Sequence, residues 1–148
     1  MVVKRDYPER PMVGVGAVIV DAGGGRALIV RRASEPRKGE WSIPGGVLEV
    51  GEKLREGVVR EALEETGLRV EAGEVLQVFD SIIADSAGRT QYHFVLIDFI
   101  CKMVGGELRA GSDVSEVRWI SAAELDDFPL AEPAAQVIGK ALSKICGD

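Results

Sequence analysis

No run of apolar residues approaches the length of about 20 that spans a bilayer; the longest stretches are strand-sized. Cysteine is scarce. The only two, Cys101 and Cys146, match no metal-ligand or redox spacing and read as inert thiols. Positive charge is in deficit, 18 Lys and Arg against 24 Asp and Glu, and the formal net charge of -6 argues against a duplex nucleic-acid binder. Met1 to Arg10, which alternates charges around Pro8, is not expected to act as a signal peptide. Internal repeats, low-complexity tracts and linkers are not seen. The expectation is one cytoplasmic domain over residues 1–148, with no membrane and no nucleic-acid partner.

What is present is an ordinary globular balance, 46% hydrophobic and 28% charged, in 148 residues, enough to build a core. The acidity does not exclude a phosphate substrate, because carboxylates can attract a divalent metal that then meets the phosphate. Along the chain, Val13 to Val20 and Ala27 to Val30 read as a hairpin around Gly23-Gly24-Gly25. Ala33 to Glu40 reads as a loop, and Trp41 to Val47 as a short extended piece broken by Pro44-Gly45-Gly46. A helix is expected over Lys53 to Thr66, ended by Gly67. Strands follow at Val75 to Ile83, Gln91 to Met103 and Val117 to Ile120. Ser121-Ala-Ala-Glu124 has the form of a capping box, and Pro133 to Cys146 reads as a terminal helix. The fold class expected is α/β (α+β).

On the central helix, 100° per residue groups Val58, Val59, Ala62 and Leu63 on one arc, and Glu61, Glu64 and Glu65 on another. Three like charges together disfavour an isolated helix, and a divalent cation among them would reverse that, since hard oxygen ligands suit magnesium. A glutamate run alone would equally suit a solvated helix face. Gly57, one turn before Glu61, costs about 1 kcal/mol relative to alanine inside a helix. It reads as room left for a metal or phosphate.

The wider context is more specific. Gly46, five residues, Glu52, seven residues, then Arg60-Glu61-Ala62-Leu63-Glu64-Glu65-Thr66-Gly67-Leu68 resembles the Nudix box at every fixed position, with Ala62 the one small aliphatic choice. Seven specified positions at fixed spacing arise by chance on the order of once in 10⁸ windows. The entry Trp41-Ser-Ile-Pro-Gly-Gly and the late Glu116-Val-Arg-Trp119 look similar as well. The resemblance implies a Nudix fold, a mixed β-sheet sandwiched between α-helices, with the box forming loop, helix and loop. It implies that Glu61, Glu64, Glu65 and the backbone carbonyl of Gly46 bind magnesium, with manganese as a substitute. Glu52 and Arg60 would hold those carboxylates in orientation through paired hydrogen bonds.

A diphosphate resists attack because its oxygens repel a nucleophile. Bound magnesium offsets that charge and lowers the pKa of water, and one carboxylate then accepts the proton. In the family this base lies in the box or in a later loop, so Glu61 and Glu64 stand beside Asp113 and Glu116, and sequence does not choose between them. Arg31, Arg32, Arg37 and Lys38 precede the box and could reach phosphates, or simply be solvated. His93 reads as a core or edge histidine. Tyr92 and Phe94 could stack on a base, although strand aromatics usually pack.

The chain is also similar to bacterial and archaeal ADP-ribose pyrophosphatases, on Arg-Pro-Met-Val-Gly-Val-Gly near the start and Gly-Gly-Glu-Leu-Arg-Ala-Gly near residue 105. That likeness implies cleavage of ADP-ribose or a related ADP-sugar to AMP and a sugar phosphate. The proline many such enzymes carry about 16 residues after the box is absent, since the region reads Ile83-Ala84-Asp85. A MutT-like nucleoside triphosphate hydrolase is the second reading. A non-catalytic nucleotide sensor is the third, although sensors often lose box residues and this box is complete. Many relatives form homodimers, and the sequence leaves that open.

Overall fold

The computed structural model describes residues 5–146 apart from Ala22 and Gly24, and apart from the side chain of Cys146, so the reading of that thiol lies outside the described residues. The elements are β1 (Met12–Asp21), β2 (Arg26–Arg32), β3 (Trp41–Ser42), β4 (Gly45–Val47), α1 (Leu54–Thr66), β5 (Leu68–Ala84), β6 (Thr90–Gly106), β7 (Val114–Ser121), a 3₁₀ turn (Ala122–Asp127) and α2 (Glu132–Cys146). Among the described residues the strands make one mixed sheet in the order β3-β2-β1-β6-β5, with β4 alongside β1 and β7 alongside β2. β1 and β6 run parallel; the other pairs are antiparallel.

The near-continuous apolar run of β1 follows from its central place, because a strand covered on both faces needs apolar residues at every position. Val15, Ala17 and Ile19 point to one side and pack with Val58 and Ala62 of α1, Leu28, Leu68 and Phe99. Val18 and Val20 point to the other and pack with Ala27, Ile29 and Val137, Ile138, Ala141 and Leu142 of α2. The expected mixed sheet between helices is therefore the architecture found. No helix among the described residues is long and apolar enough to cross a membrane.

The first hairpin pairs Val20 with Ala27, as expected. α1 begins with Lys53 N–H donating to the Glu56 carboxylate at 2.9 Å. It ends at Gly67, with φ 76°, whose N–H donates to Leu63 O at 2.9 Å. A Cβ on Gly67 would run into the carbonyl oxygen of Glu107, so the left-handed turn and the close crossing both require glycine. Cys101 is buried in β6, which pushes its thiol up to about 12 and leaves it un-ionised near neutrality, in line with an inert group.

Two expectations need correction. β5 starts at Leu68, not Val75. Leu68 and Val70 are buried and Arg69 and Glu71 exposed, a period-two pattern that Glu71-Ala-Gly-Glu74 masks in sequence, and the pairing shifts register between Ala72 and Val75. On the apolar arc of α1, Leu63, about 140° around the helix from Val58, is 44% exposed. Gly57 does not leave room for a ligand. A Cβ there would meet Leu48 Cδ1 at 2.7 Å and Glu52 Oε1 at 3.1 Å, so the loop before α1 fills that space.

We expect Gly67→Ala to cost at least about 1 kcal/mol of stability in a chemical denaturation experiment. An unchanged midpoint would contradict the backbone argument.

Candidate active site

β4 pairs antiparallel with β1, setting Gly46 opposite Val15 and Gly45 opposite Gly16, and this brings the two glycines up against α1. A Cβ on Gly46 would occupy the place of the Glu61 carboxylate. The glycine is therefore required by close approach. On the same side of the helix, Gly45 N–H donates to Glu65 Oε1 at 3.0 Å.

Arg60 is the hub of the helix face. Its Nε and Nη2 donate to the two oxygens of Glu52 at 2.6 and 2.9 Å, a bidentate clasp. Its Nη1 donates to Glu61 at 2.8 Å and to Glu64 at 2.9 Å, and Nη2 also reaches Val47 O at 3.2 Å. One guanidinium thus ties three carboxylates to the strand that carries Gly46. Glu52 also accepts from Glu49 N–H at 3.0 Å. The hydrogen bond from Arg60 holds the Glu52 carboxyl below its ordinary range, and Glu52 in turn raises Arg60.

The other carboxylates shift the opposite way. Burial raises Glu61, and Arg60 only partly offsets it. Burial pushes Glu65 up to about 8, against the Gly45 N–H and with the charge of Glu61 adding to the rise. In this arrangement Glu61 and Glu64 face Arg60 while Glu65 faces Gly45. No three acidic, histidine or cysteine side chains among the described residues stand together as a metal-binding group. The donor chemistry nevertheless suits a hard divalent cation: neighbouring carboxylates on one helix face, two of them raised by burial, so that a cation would supply the charge that water cannot.

Beside these groups opens a cleft lined by Gly45, Gly46, Glu65 and Asp113, by Arg5, Arg32 and Arg37, and by apolar walls that include Trp41, Phe79 and Phe94. Arg32 is anchored by donating Nε to Pro36 O at 2.6 Å, and Arg37, at φ 63°, lies 3.7 Å from Glu40. Arg31 lies elsewhere. It pairs with Glu116 at 3.0 Å across the β2–β7 ladder and donates to Gly39 O, and neither residue lines the cleft. Glu116, expected in a loop, lies in β7; of the two candidate carboxylates, Asp113 therefore reaches the cleft and Glu116 does not. Tyr92 stacks on Phe94 at 6.4 Å and lines a shallower depression that shares Pro36, Arg37 and Ile83 with the cleft. Lys38 lines neither, and His93 pairs with Ile82 in the β5–β6 ladder. Sequence reasoning missed Arg5, which no pattern marks, and Asp98, a lone acid in an apolar strand that composition could have flagged.

The raised carboxyls carry a sign. Glu65 binds its proton more tightly in the folded metal-free protein than in the unfolded chain, so it costs stability as pH rises from about 4.5 towards 8. Without metal, Glu65→Gln is expected to be more stable than wild type at pH 8–9 by on the order of 1–3 kcal/mol, with the difference vanishing near pH 4. Parallel denaturation curves across that range would refute this.

Comparison with known proteins points the same way. The model of the NUDIX domain matches residues 10–141. An ADP-ribose pyrophosphatase of Methanocaldococcus jannaschii is 36% identical over 131 residues, covering 85% of this chain and 72% of the relative. A MutT-like protein of Streptomyces ambofaciens is 38% identical over 120 residues, covering 81% and 70%. Among solved structures, the MutT NUDIX hydrolase of Burkholderia pseudomallei superposes with a TM-score of 0.73 at 31% identity, over 88% of this chain and 98% of that one. With the complete box laid out on α1 and its flanking loops, and the sheet held between two helices, the chain belongs to the Nudix family of hydrolases.

Proposed function

We propose that this protein hydrolyses the diphosphate of a nucleoside diphosphate joined to a second group, with ADP-ribose or a related ADP-sugar as the first substrate to test. The products would be AMP and a sugar phosphate. The observation that carries the reading is the meeting of buried acid and positive charge at one cleft: Glu65 beside Gly45 and Gly46 at one part of the wall, and Arg5, Arg32 and Arg37 along another. The likeness to the Methanocaldococcus jannaschii ADP-ribose pyrophosphatase supports the choice of substrate. The likeness to the MutT-like protein of Streptomyces ambofaciens keeps nucleoside triphosphates as the second reading. The setting proposed is cytoplasmic.

Members of the family act with divalent cations; here we assign magnesium, held by Glu61, Glu64 and Glu65 with the carbonyl of Gly46. When bound, the cation would offset phosphate charge and lower the pKa of water. The chain's own groups do the rest. Arg5, Arg32 and Arg37 attract and orient the anionic diphosphate, Arg32 being pre-set by its bond to Pro36 O. Trp41, Phe79 and Phe94 offer apolar surface to a ring and exclude water. Arg60, locked by Glu52, fixes the direction of Glu61 and Glu64. A carboxylate at the cleft takes the proton from water, and Asp113 is better placed for it than Glu116.

The decisive assay is phosphate release, through a coupled phosphatase, from ADP-ribose, other ADP-sugars, diadenosine polyphosphates and deoxynucleoside triphosphates with magnesium. Preferential turnover of ADP-ribose supports the reading; preferential turnover of a triphosphate moves it to the second. Tight ADP-ribose binding with no turnover of any nucleotide, in magnesium or manganese, makes the protein a sensor. In the active assay, Glu64→Gln and Glu65→Gln should each lower kcat roughly 100-fold or more while the fold persists. Asp113→Asn should lower kcat at least about tenfold, whereas Glu116→Gln should stay near wild type; the reverse order would move the base to Glu116.

A further inference from the structure

β6 reads His-Phe-Val-Leu-Ile-Asp-Phe-Ile-Cys from residue 93, and its one carboxylate, Asp98, is only 4% exposed. An acid in such a place is costly unless its oxygens are satisfied. One of them is. Gln77, opposite on β5, donates Nε2 to Asp98 Oδ2 at 3.2 Å and also to Pro133 O at 3.0 Å, so the amide serves as a brace between β5, β6 and the start of α2. Asp98 Oδ1 has no hydrogen-bond partner among the described residues, yet no buried side-chain polar atom there is left wholly enclosed and unpaired. The oxygen therefore looks into open space.

That space is the cleft. Asp98 lines it together with Gly16, Ile43, Leu96, Pro133 and Ala134. Gly16 is the register partner of Asp98 on β1, and a Cβ on Gly16 would occupy the place of Oδ1 and meet Ile43 Cδ1 at 2.7 Å. The bare backbone of Gly16 thus keeps the oxygen uncovered. Burial raises the acid to about 6, and it remains a carboxylate, and hence an acceptor, at neutral pH.

The sheet register also sets a distance. Asp98, Gly16 and Gly45 lie on one line across β6, β1 and β4, and Gly45 is the residue whose N–H holds Glu65. Two strand spacings amount to roughly 10 Å. A ligand whose diphosphate sits by Gly45 and Glu65 and that extends along this row reaches Asp98 with its far end. A single charged acceptor on such a floor selects for a donor and rejects ligands that present none.

We propose that Asp98 is a specificity-determining residue, whose free Oδ1 accepts a hydrogen bond from the exocyclic amino group of a nucleobase at the inner end of the cleft. The proposal rests on the reading of the cleft as a nucleotide site and adds to it the feature of the base that is read. Uracil- and hypoxanthine-type bases, which lack that amine, are disfavoured.

The test is calorimetric binding, with magnesium present, of AMP, GMP and CMP, each against the analogue that lacks the amino group. In wild type at least one pair should differ by about tenfold or more in Kd, the expected scale for a hydrogen bond to a buried charge. In Asp98→Asn, nearly isosteric, the one acceptor oxygen stays on Gln77 Nε2 and the donating amide group faces the cleft, so the variant should bring that pair within about twofold while the melting transition is kept. If Asp98→Asn does not fold, Gln77→Leu, which removes the brace, takes its place and should narrow the same gap. Equal binding within every pair in wild type, no binding of any nucleotide, or a gap that survives in the variant overturns the proposal. Hydrolysis of the nucleotide panel is scored separately. Turnover with equal binding of the pairs leaves the enzymatic reading standing and removes Asp98, whereas a binding gap without turnover does the opposite.

Discussion

The structure depends most on the clasp between Arg60 and the carboxylates around it. α1 and the loop before it carry acids at 52, 61, 64 and 65 on or near one face, a concentration of like charge that would weaken an isolated helix. A single guanidinium bonds three of them and the carbonyl of Val47, joining helix, preceding loop and β4. An ion pair of this kind is weak evidence for stability, because the cost of removing charges from water is large. Its value is geometric. It fixes where Glu61 and Glu64 point, and it leaves Glu65, whose one hydrogen-bond donor among the described residues is the Gly45 N–H, as the acid most in need of a cation.

The sheet turns this local arrangement into a site of definite length. Because β4 is added to the same edge of β1 that β2 uses further on, Gly45 and Gly46 stand opposite Gly16 and Val15, and the parallel pairing of β1 with β6 extends the row to Asp98. Charge lies at one end, with arginines along the wall and apolar surface beyond. An elongated ligand with an anionic centre and a ring at one end matches that layout. Small residues make it possible: Gly46 lets Glu61 approach, and Gly16 leaves Asp98 uncovered.

Much of this was legible in the sequence. The spacing from Gly46 to Leu68 pointed to the family and the helix face, and short apolar, β-branched runs placed β1, β2 and the core of β6, because those features are local in the sequence. What was not legible depends on pairing between distant segments. The first residues of β5 hid behind Gly73, whose role is to let Ile100 approach from β6. Glu116 and Asp113 are three residues apart and chemically alike, and only the register of β2 against β7 takes Glu116 to Arg31 and leaves Asp113 at the cleft. Gly57 was assigned to a ligand that Leu48 and Glu52 replace, a packing fact that no helical wheel contains.

Whether the α1 carboxylates form a divalent-cation site is measured most directly by calorimetric titration of manganese or magnesium into the substrate-free protein at pH 7. Saturable binding accompanied by proton release is expected, as Glu65 gives up the proton that burial makes it keep, with affinity falling at least about tenfold in Glu65→Gln. Binding of equal strength in wild type and variant, with no proton released in either, would contradict a cation site at Glu65.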